Sequence, residues 1–318
     1  MVQPSNDRNY ALKHASTIVG IEHFESLRFE PQAPLISTRL SCKLAMIGFI
    51  DSLLPWTAAT LIPAFVGLFI IVLAGNVLKA KHLAAFSLGI FLWFFVDTIR
   101  GAASLDVIDA FSASLVQIGT VGLFVLGLIV FFSFDRNRNV FSPLLANGKY
   151  GLAIPLLVAV SVGIHGLGEG AAFGALASQT TSANLLDSFA GPTGGGVNAV
   201  VSYVLHKALE PMMIGACYCI YSTEQGKSSA GRLKDLLLLT ITFAIPSLVG
   251  AASGYYLTYN TTYFYALGTG ASIYAAVRLA GPLYDNTQPT SSKESIKMAF
   301  LIALGVLVIY FAALFHSG

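Results

Sequence analysis

Eight long apolar stretches dominate this sequence and restrict the folds it can adopt. Each has about 20 residues and few charges, which is the length an α-helix needs to cross a bilayer. The chain has 318 residues, of which 55% are hydrophobic and 11% are charged, whereas soluble domains have about 25% charged residues. We therefore predict an all-α membrane protein with eight transmembrane helices, near residues 56–78, 83–104, 113–134, 151–178, 197–221, 234–257, 263–282 and 297–316.

The first 40 residues have a different composition and predict a polar tail ahead of a transmembrane domain at 41–318. They combine prolines with mixed charges and contain no apolar core of signal-peptide length. The stretch from Leu44 to Leu54 follows the tail and is too short to cross a bilayer by itself. Asp51 and Pro55 interrupt it, so residues 41–55 are predicted either as an interfacial helix or as the start of a ninth span.

Basic residues are concentrated in alternate loops, and this bias predicts the orientation of the helices. Loops rich in lysine and arginine remain in the cytoplasm. The loops after the first, third, fifth and seventh predicted spans are basic, and the others are acidic or uncharged; the basic residues are Lys79, Lys81, Arg136, Arg138, Lys149, Lys227, Arg232, Lys234, Lys293 and Lys297. With eight spans both termini lie outside the cell. A ninth span would place the tail in the cytoplasm, which its own basic residues favour.

Glycine is abundant within the predicted spans and indicates which of them lie inside the bundle. Small residues let membrane helices approach closely where no hydrophobic force drives their association. Five glycines lie in the fourth span, so we expect that helix at the centre. Pairs of glycines indicate close packing of the sixth and seventh spans as well; the residues are Gly163, Gly166, Gly168, Gly170, Gly174, Gly250, Gly254, Gly268 and Gly270.

The fourth and fifth predicted spans share a pattern of ionisable residues. His165 and Glu169 are four residues apart, and so are His206 and Glu210. Residues at this spacing lie on the same face of a helix. An ionisable side chain in hydrocarbon costs roughly 2.5–3.5 kcal/mol even on lenient scales, so it is a functional candidate by default. Two matched pairs on consecutive spans predict one metal site between two membrane helices.

The predicted ligand set determines which ions are candidates. Two imidazoles and two carboxylates suit Zn²⁺, and Fe²⁺, Mn²⁺, Co²⁺ and Cd²⁺ compete for such a site. The structural alternative is that each histidine bonds a neighbouring helix and each glutamate pairs with Lys207. A single ammonium can neutralise only one of the two carboxylates, and a buried carboxylate without a cation must be protonated or paired. The repeated pattern therefore favours the metal.

Three further residues are weaker candidates for the pathway of the ion or its surroundings. Ser161 lies one turn before His165 and is either a transient ligand or a packing residue. Asp97 in the second span either guides ions or pairs with Arg100. Lys207 is expected beside the ligands. Three cysteines, Cys42, Cys217 and Cys219, form no pair typical of a metal site or a disulfide framework, and the last two are predicted to be packing residues.

The matched segments resemble the motifs of the ZIP (Zrt/Irt-like) family of divalent metal transporters. Residues 165–170, with the letters HGLGEG, are similar to the His-Asn-x-Pro-Glu-Gly motif of the fourth span in that family. Residues 206–210, with the letters HKALE, are similar to the His-x-x-Pro-Glu motif of the fifth. Asp97, and Pro246 with Gly250, also match positions in the family, and the resemblance covers about residues 55–316. It implies a 3+2+3 arrangement of eight helices with the metal bound between the fourth and fifth.

Departures from the family pattern concern a second metal and the helix geometry. Many members hold two ions, and the second one uses positions that are Gly166, Lys207 and Ile245 here. None of these residues binds metal well, so we predict one ion per site, with the ammonium of Lys207 where a second cation would lie. The family prolines are replaced by Gly168 and Leu209, and Pro211 is expected to bend the fifth span instead.

These observations predict a multi-pass protein of the cell membrane that moves a divalent metal into the cytoplasm and is not an enzyme. The transported substrate is Zn, with Fe, Mn, Co or Cd as alternatives. The expected partners are the metal ion and the lipid bilayer, a homodimer being left open, and the scattered basic residues predict no nucleic-acid binding. Two other readings remain: an intramembrane zinc hydrolase, which needs an open position for water, and a metal sensor that does not transport.

Overall fold

A computed structural model describes the protein over residues 38–101, 115–136, 152–178, 197–222, 229–257, 260–284 and 291–314. The chain separates into two units, Met1–Cys42 and Lys43–Gly318, and the architecture below is that of the second. The predicted polar tail at 1–40 lies almost entirely outside the described residues. Over the described ranges the regular structure is helical and contains no strand, as the composition predicted.

The helices follow the eight predicted spans, with the fifth divided in two. Among the described residues a short 3-10 helix, Gly281–Leu283, directly follows Ala280. The α-helices are α1 (Thr38–Ala74), α2 (Ala80–Gly101), α3 (Leu115–Arg136), α4 (Ala153–Ala177), α5 (Val197–Leu209), α6 (Pro211–Tyr221), α7 (Ser229–Tyr256), α8 (Thr262–Ala280) and α9 (Ser292–Leu314).

Five of these helices are long and apolar enough to cross a membrane, which agrees with a helical membrane protein. The candidate spans are Gly48–Ala74, Leu115–Arg136, Ala153–Ala177, Ser229–Tyr256 and Ser292–Ala312. The other predicted spans are also helical. Of these, α2 has a shorter apolar part, Ala80–Val96, α8 has 19 residues, and α5 and α6 are the two parts of one interrupted segment.

The first helix corrects the prediction for residues 41–55. Helix α1 continues from Thr38 to Ala74 with Pro55 and Pro63 inside it, so the stretch from Leu44 to Leu54 is neither a separate interfacial helix nor a span of its own. A proline removes one backbone hydrogen bond and bends a helix, but it need not end one whose neighbouring side chains are packed. Trp56, directly after Pro55, is only 2% exposed.

The central position of the fourth helix is confirmed by its burial, since 15 of its 25 residues are buried, and α4 is in close contact with α7. A Cβ on Gly163 would lie 2.5 Å from the carbonyl oxygen of Phe243, and one on Gly174 would lie 2.7 Å from the backbone nitrogen of Tyr255. Distances below 3.0 Å are too short for a real side chain, so the two backbones touch only because glycine is present. The residue numbers of the contacts increase together along both helices, which shows that α4 and α7 run parallel.

Three more helix pairs pack through glycine in the same way and also run parallel. Gly127 and Gly270 join α3 to α8, Gly89 and Gly305 join α2 to α9, and Gly67 joins α1 to α5. A second contact along each pair gives the direction: these are Gly119 with Tyr263, Trp93 with Tyr310, and Trp56 with Tyr203. The three pairs correspond to predicted spans 3 and 7, 2 and 8, and 1 and 5, whose numbers differ by an even number. A chain that crosses a membrane alternately directs such spans the same way, so the packing agrees with the predicted order of crossings.

Candidate metal centre

The predicted ligands lie at the middle of α4 and at the break between α5 and α6. His165 and Glu169 are one turn apart on α4, and His206 lies in the last turn of α5. Glu210 occupies the break itself. Pro211 begins α6 and has no N–H, so the carbonyl of the residue four positions earlier receives no helical hydrogen bond. The helix is therefore interrupted at the position where the sequence analysis placed Pro211, and the bend expected there stays a prediction.

The four predicted ligands converge. One donor atom can be taken from each of His165, Glu169, His206 and Glu210 such that all four lie within 4.8 Å of one another. Within the described residues this is the cluster of histidine, cysteine, aspartate and glutamate side chains that could hold a metal ion. On α4, His165 Nε2 is 3.4 Å from Glu169 Oε1. At the break, His206 Nε2 is 2.8 Å from Glu210 Oε1.

This geometry is close to that of a four-coordinate ion. Zn²⁺ binds nitrogen and oxygen at about 2.0–2.2 Å, and tetrahedral donors at that bond length lie about 3.4 Å apart. The widest separation in the cluster exceeds this distance by about 1.4 Å, which rotation of the side chains can close. The donor set and its spacing therefore fit an ion such as Zn²⁺.

Several buried polar atoms in the cluster lack a hydrogen bond. They include His165 Nδ1, and also His206 Nε2 and Glu210 Oε1, which lie 2.8 Å apart without the geometry of a hydrogen bond. A buried polar atom without a partner costs about 1–3 kcal/mol. Such atoms are expected where a protein binds something else, and the unsatisfied nitrogen of His206 and oxygen of Glu210 face each other in the cluster.

Lys207 connects the two glutamates. Its side chain is fully buried, its Nζ lies 2.8 Å from Glu210 Oε2, and it also forms an ion pair with Glu169 Oε2. One ammonium balances one of the two carboxylates, so the cluster retains one net negative charge when both imidazoles are neutral. The alternative in which each glutamate pairs with Lys207 thus describes part of the structure, and it leaves the convergence of the four donors intact.

Aromatic rings enclose the cluster. The ring of Phe94 meets His165 edge to face with centroids 4.6 Å apart, and the rings of Tyr203 and Phe243 each lie with their centroid 5.6 Å from Lys207 Nζ. The four side chains are almost enclosed: Glu169 and His206 are 17% and 13% exposed, and His165 and Glu210 are buried. Charges in so dry an environment interact strongly.

Beyond Tyr203 a second group of rings closes one side of the site. Trp56 stacks on Phe173 and on Tyr203 with centroids 4.2 and 4.4 Å apart. The indole nitrogen of Trp56 donates to Ser247 Oγ at 3.2 Å, and the hydroxyls of Thr60 and Tyr203 lie 2.7 Å apart. These contacts connect α1, α4, α5 and α7 next to the ligands. They fix the helices that position the site.

The structure describes some of the weaker candidates, Ser161 and the two cysteines, but not the side chain of Asp97. Ser161 is buried and donates to the carbonyl of Val158 at 2.9 Å; it is outside the converging set, and its role as a transient ligand stays a prediction. The side chain of Asp97 lies outside the described part of the chain. Cys217 is buried in the apolar core and Cys219 packs against it, as predicted for packing residues.

The structure describes all three positions at which the resemblance would place a second ion. Ile245 is half exposed on α7, and Gly166 is buried with the Cβ of Ser247 near it. Lys207 is the residue of the three that reaches the ligands.

Tyr203 and Phe243 are neighbours of the site that the sequence analysis did not identify. Tyr203 had a usable signal, because it precedes Lys207 by one helical turn and faces the same way. Phe243 had none, since it comes from α7 and reaches Lys207 only through the packing of that helix against α4.

Comparisons with known proteins neither name nor exclude a family. No protein-family model matches this chain, and no curated protein matches it significantly. The residues of the site are therefore the evidence on which a function can be proposed.

Proposed function

We propose that this protein is a divalent metal transporter of the cell membrane that binds one ion at a time and moves it into the cytoplasm. The observation that carries the proposal is the convergence of His165, Glu169, His206 and Glu210 within 4.8 Å, on helices of a membrane-type fold. Ionisable side chains buried among apolar helices mark ion pathways in membrane proteins. The resemblance to ZIP motifs and a 3+2+3 arrangement of helices belong to the same proposal.

The chemistry of the four residues supports a site that binds and releases an ion. Two carboxylates supply the charge that offsets the loss of water from a divalent cation, and two imidazoles replace that water as ligands. Glu169 and His206 are the partly exposed members, so they meet the ion first, and His165 and Glu210 complete the set. Groups of helices that rock around this fixed site would open it to each side in turn.

Zn is the substrate that the donors fit best, with Fe, Mn, Co or Cd as alternatives. Imidazole and carboxylate ligands accept several first-row ions in a common order of affinity, and availability decides between them. Metal ligands must be deprotonated to bind. Uptake is therefore expected to fall as the medium becomes more acidic.

Flux through the purified protein tests this proposal. The protein is reconstituted into proteoliposomes that contain a metal-sensitive dye, and entry of Zn²⁺, Fe²⁺, Mn²⁺ and Cd²⁺ is followed over a series of pH values. Saturable entry of Zn²⁺ above that of protein-free vesicles supports transport. Metal binding without flux would favour a sensor, and turnover of the vesicle lipids would favour a hydrolase; either outcome removes the transporter.

A further inference from the structure

The two oxygens of each glutamate in the cluster have different neighbours. In Glu210, Oε1 is 2.8 Å from His206 Nε2 and Oε2 is 2.8 Å from Lys207 Nζ. In Glu169, Oε1 is 3.4 Å from His165 Nε2 and Oε2 contacts the same Lys207 Nζ. On both helices one oxygen faces a histidine ligand, and the other faces the ammonium.

We infer that Lys207 is a specificity-determining residue, because it occupies one oxygen of each glutamate and leaves Glu169 and Glu210 to bind the ion through a single oxygen each. With two imidazoles this gives four donors, which is the number that Zn²⁺ takes in closed tetrahedral sites. Larger hard cations prefer six or more oxygen ligands, often from carboxylates that bind through both oxygens. The ammonium thus disfavours such cations without touching the ion.

The surroundings of Lys207 keep its ammonium in this position. The side chain is fully buried, and the rings of Tyr203 and Phe243 both lie within cation–π range of its Nζ. Turning towards solvent would break two buried ion pairs and leave the carboxylates without a counter-charge. We therefore expect Lys207 to retain its contacts when the ion enters, while the oxygens that face the histidines bind the ion.

The first test uses the unmodified protein and requires only that the site binds metal, as the proposed function states. X-ray absorption of the Zn²⁺-loaded protein in detergent is expected to show four nitrogen or oxygen neighbours at about 2.0 Å. Infrared difference spectra are expected to show carboxylates that bind through one oxygen. A site with five or six neighbours, or with carboxylates that bind through both oxygens, would overturn the inference although metal binding itself would stand.

The second test removes the ammonium. Lys207→Met keeps most of the volume of the side chain and frees Oε2 of both glutamates, so the number of neighbours around Zn²⁺ should rise above four. Affinity for Mn²⁺ relative to Zn²⁺ is expected to increase about tenfold, within the range for changes of residues next to metal ligands. Lys81→Met is the matched control, because Lys81 pairs with Glu294 at 2.8 Å outside the cluster, and it should change neither quantity.

The outcomes distinguish this inference from the proposed function. Unmodified protein that binds no Zn²⁺ would remove the transporter and the inference together. Normal Zn²⁺ binding and flux, with unchanged coordination and unchanged relative affinity in Lys207→Met, would leave the transporter in place and refute the role of Lys207. If that variant does not fold, the spectra of the unmodified protein still decide the matter.

Discussion

Alanine at Glu169 or at Glu210 is expected to reduce uptake of Zn²⁺ into proteoliposomes by more than about 100-fold. Loss of a residue that only supports a metal ligand reduces affinity by about 10–100-fold, and these substitutions remove a ligand itself. Each also removes half of the carboxylate charge that offsets desolvation of the ion. The remaining glutamate still pairs with Lys207, so neither variant leaves a buried ammonium without a partner. We therefore expect folded, inactive protein.

Glu294→Ala is the matched control for these two variants. Glu294 also has a lysine and a histidine as partners, since its Oε1 lies 2.8 Å from Lys81 Nζ and 2.9 Å from His82 Nε2. These residues join the starts of α2 and α9, away from the converging ligands. Uptake should therefore stay near the rate of the unmodified protein. If Glu169→Ala moved Zn²⁺ at that rate, the assignment of the site would be wrong.

The cluster of candidate ligands was predictable in part because the geometry of each pair is local. A spacing of four residues fixes the relation of His165 to Glu169, and of His206 to Glu210, wherever each helix lies in the protein. Whether the two pairs lie close to each other depends on the tertiary structure. The sequence indicated it only through the repetition of the pattern on consecutive spans, and the structure brings the donors together.

Features that depend on packing were harder to predict. Pro55 and Asp51 read as an interruption, yet α1 continues through both, because neighbouring packing outweighs one missing backbone hydrogen bond. Lys207 was expected beside the site, but its contact with both glutamates requires α4 and α5 to lie side by side. Five of the eight predicted spans coincide with described helices that are long and apolar enough to cross a membrane, because the length of an apolar stretch is set by the thickness of the bilayer.

Leucine at Gly170 is expected to cause a large loss of stability at the interface between α4 and α7. A Cβ there would meet the carbonyl oxygen of Ser247 and lie 2.8 Å from the backbone nitrogen of Ala251. Backbone atoms cannot rotate away, so α4 and α7 must separate. Overpacking costs about 1–3 kcal/mol and sometimes more; a loss of about 3 kcal/mol lowers the melting temperature by about 6–12 °C. A thermal scan in detergent measures this change.

Gly122→Leu separates this effect from the general consequence of adding a side chain to a membrane helix. A Cβ at Gly122 has no neighbouring atom within 4 Å, so its melting temperature should stay close to that of the unmodified protein. Trp56 offers a second measurement, because its indole nitrogen donates to Ser247 and its fluorescence should change when α7 moves. Equal melting temperatures for the two variants would contradict the close approach of α4 and α7.

The substitution at Gly170 should also weaken Zn²⁺ binding, since α4 carries His165 and Glu169 and is displaced with them. Gly122→Leu should leave Zn²⁺ binding unchanged.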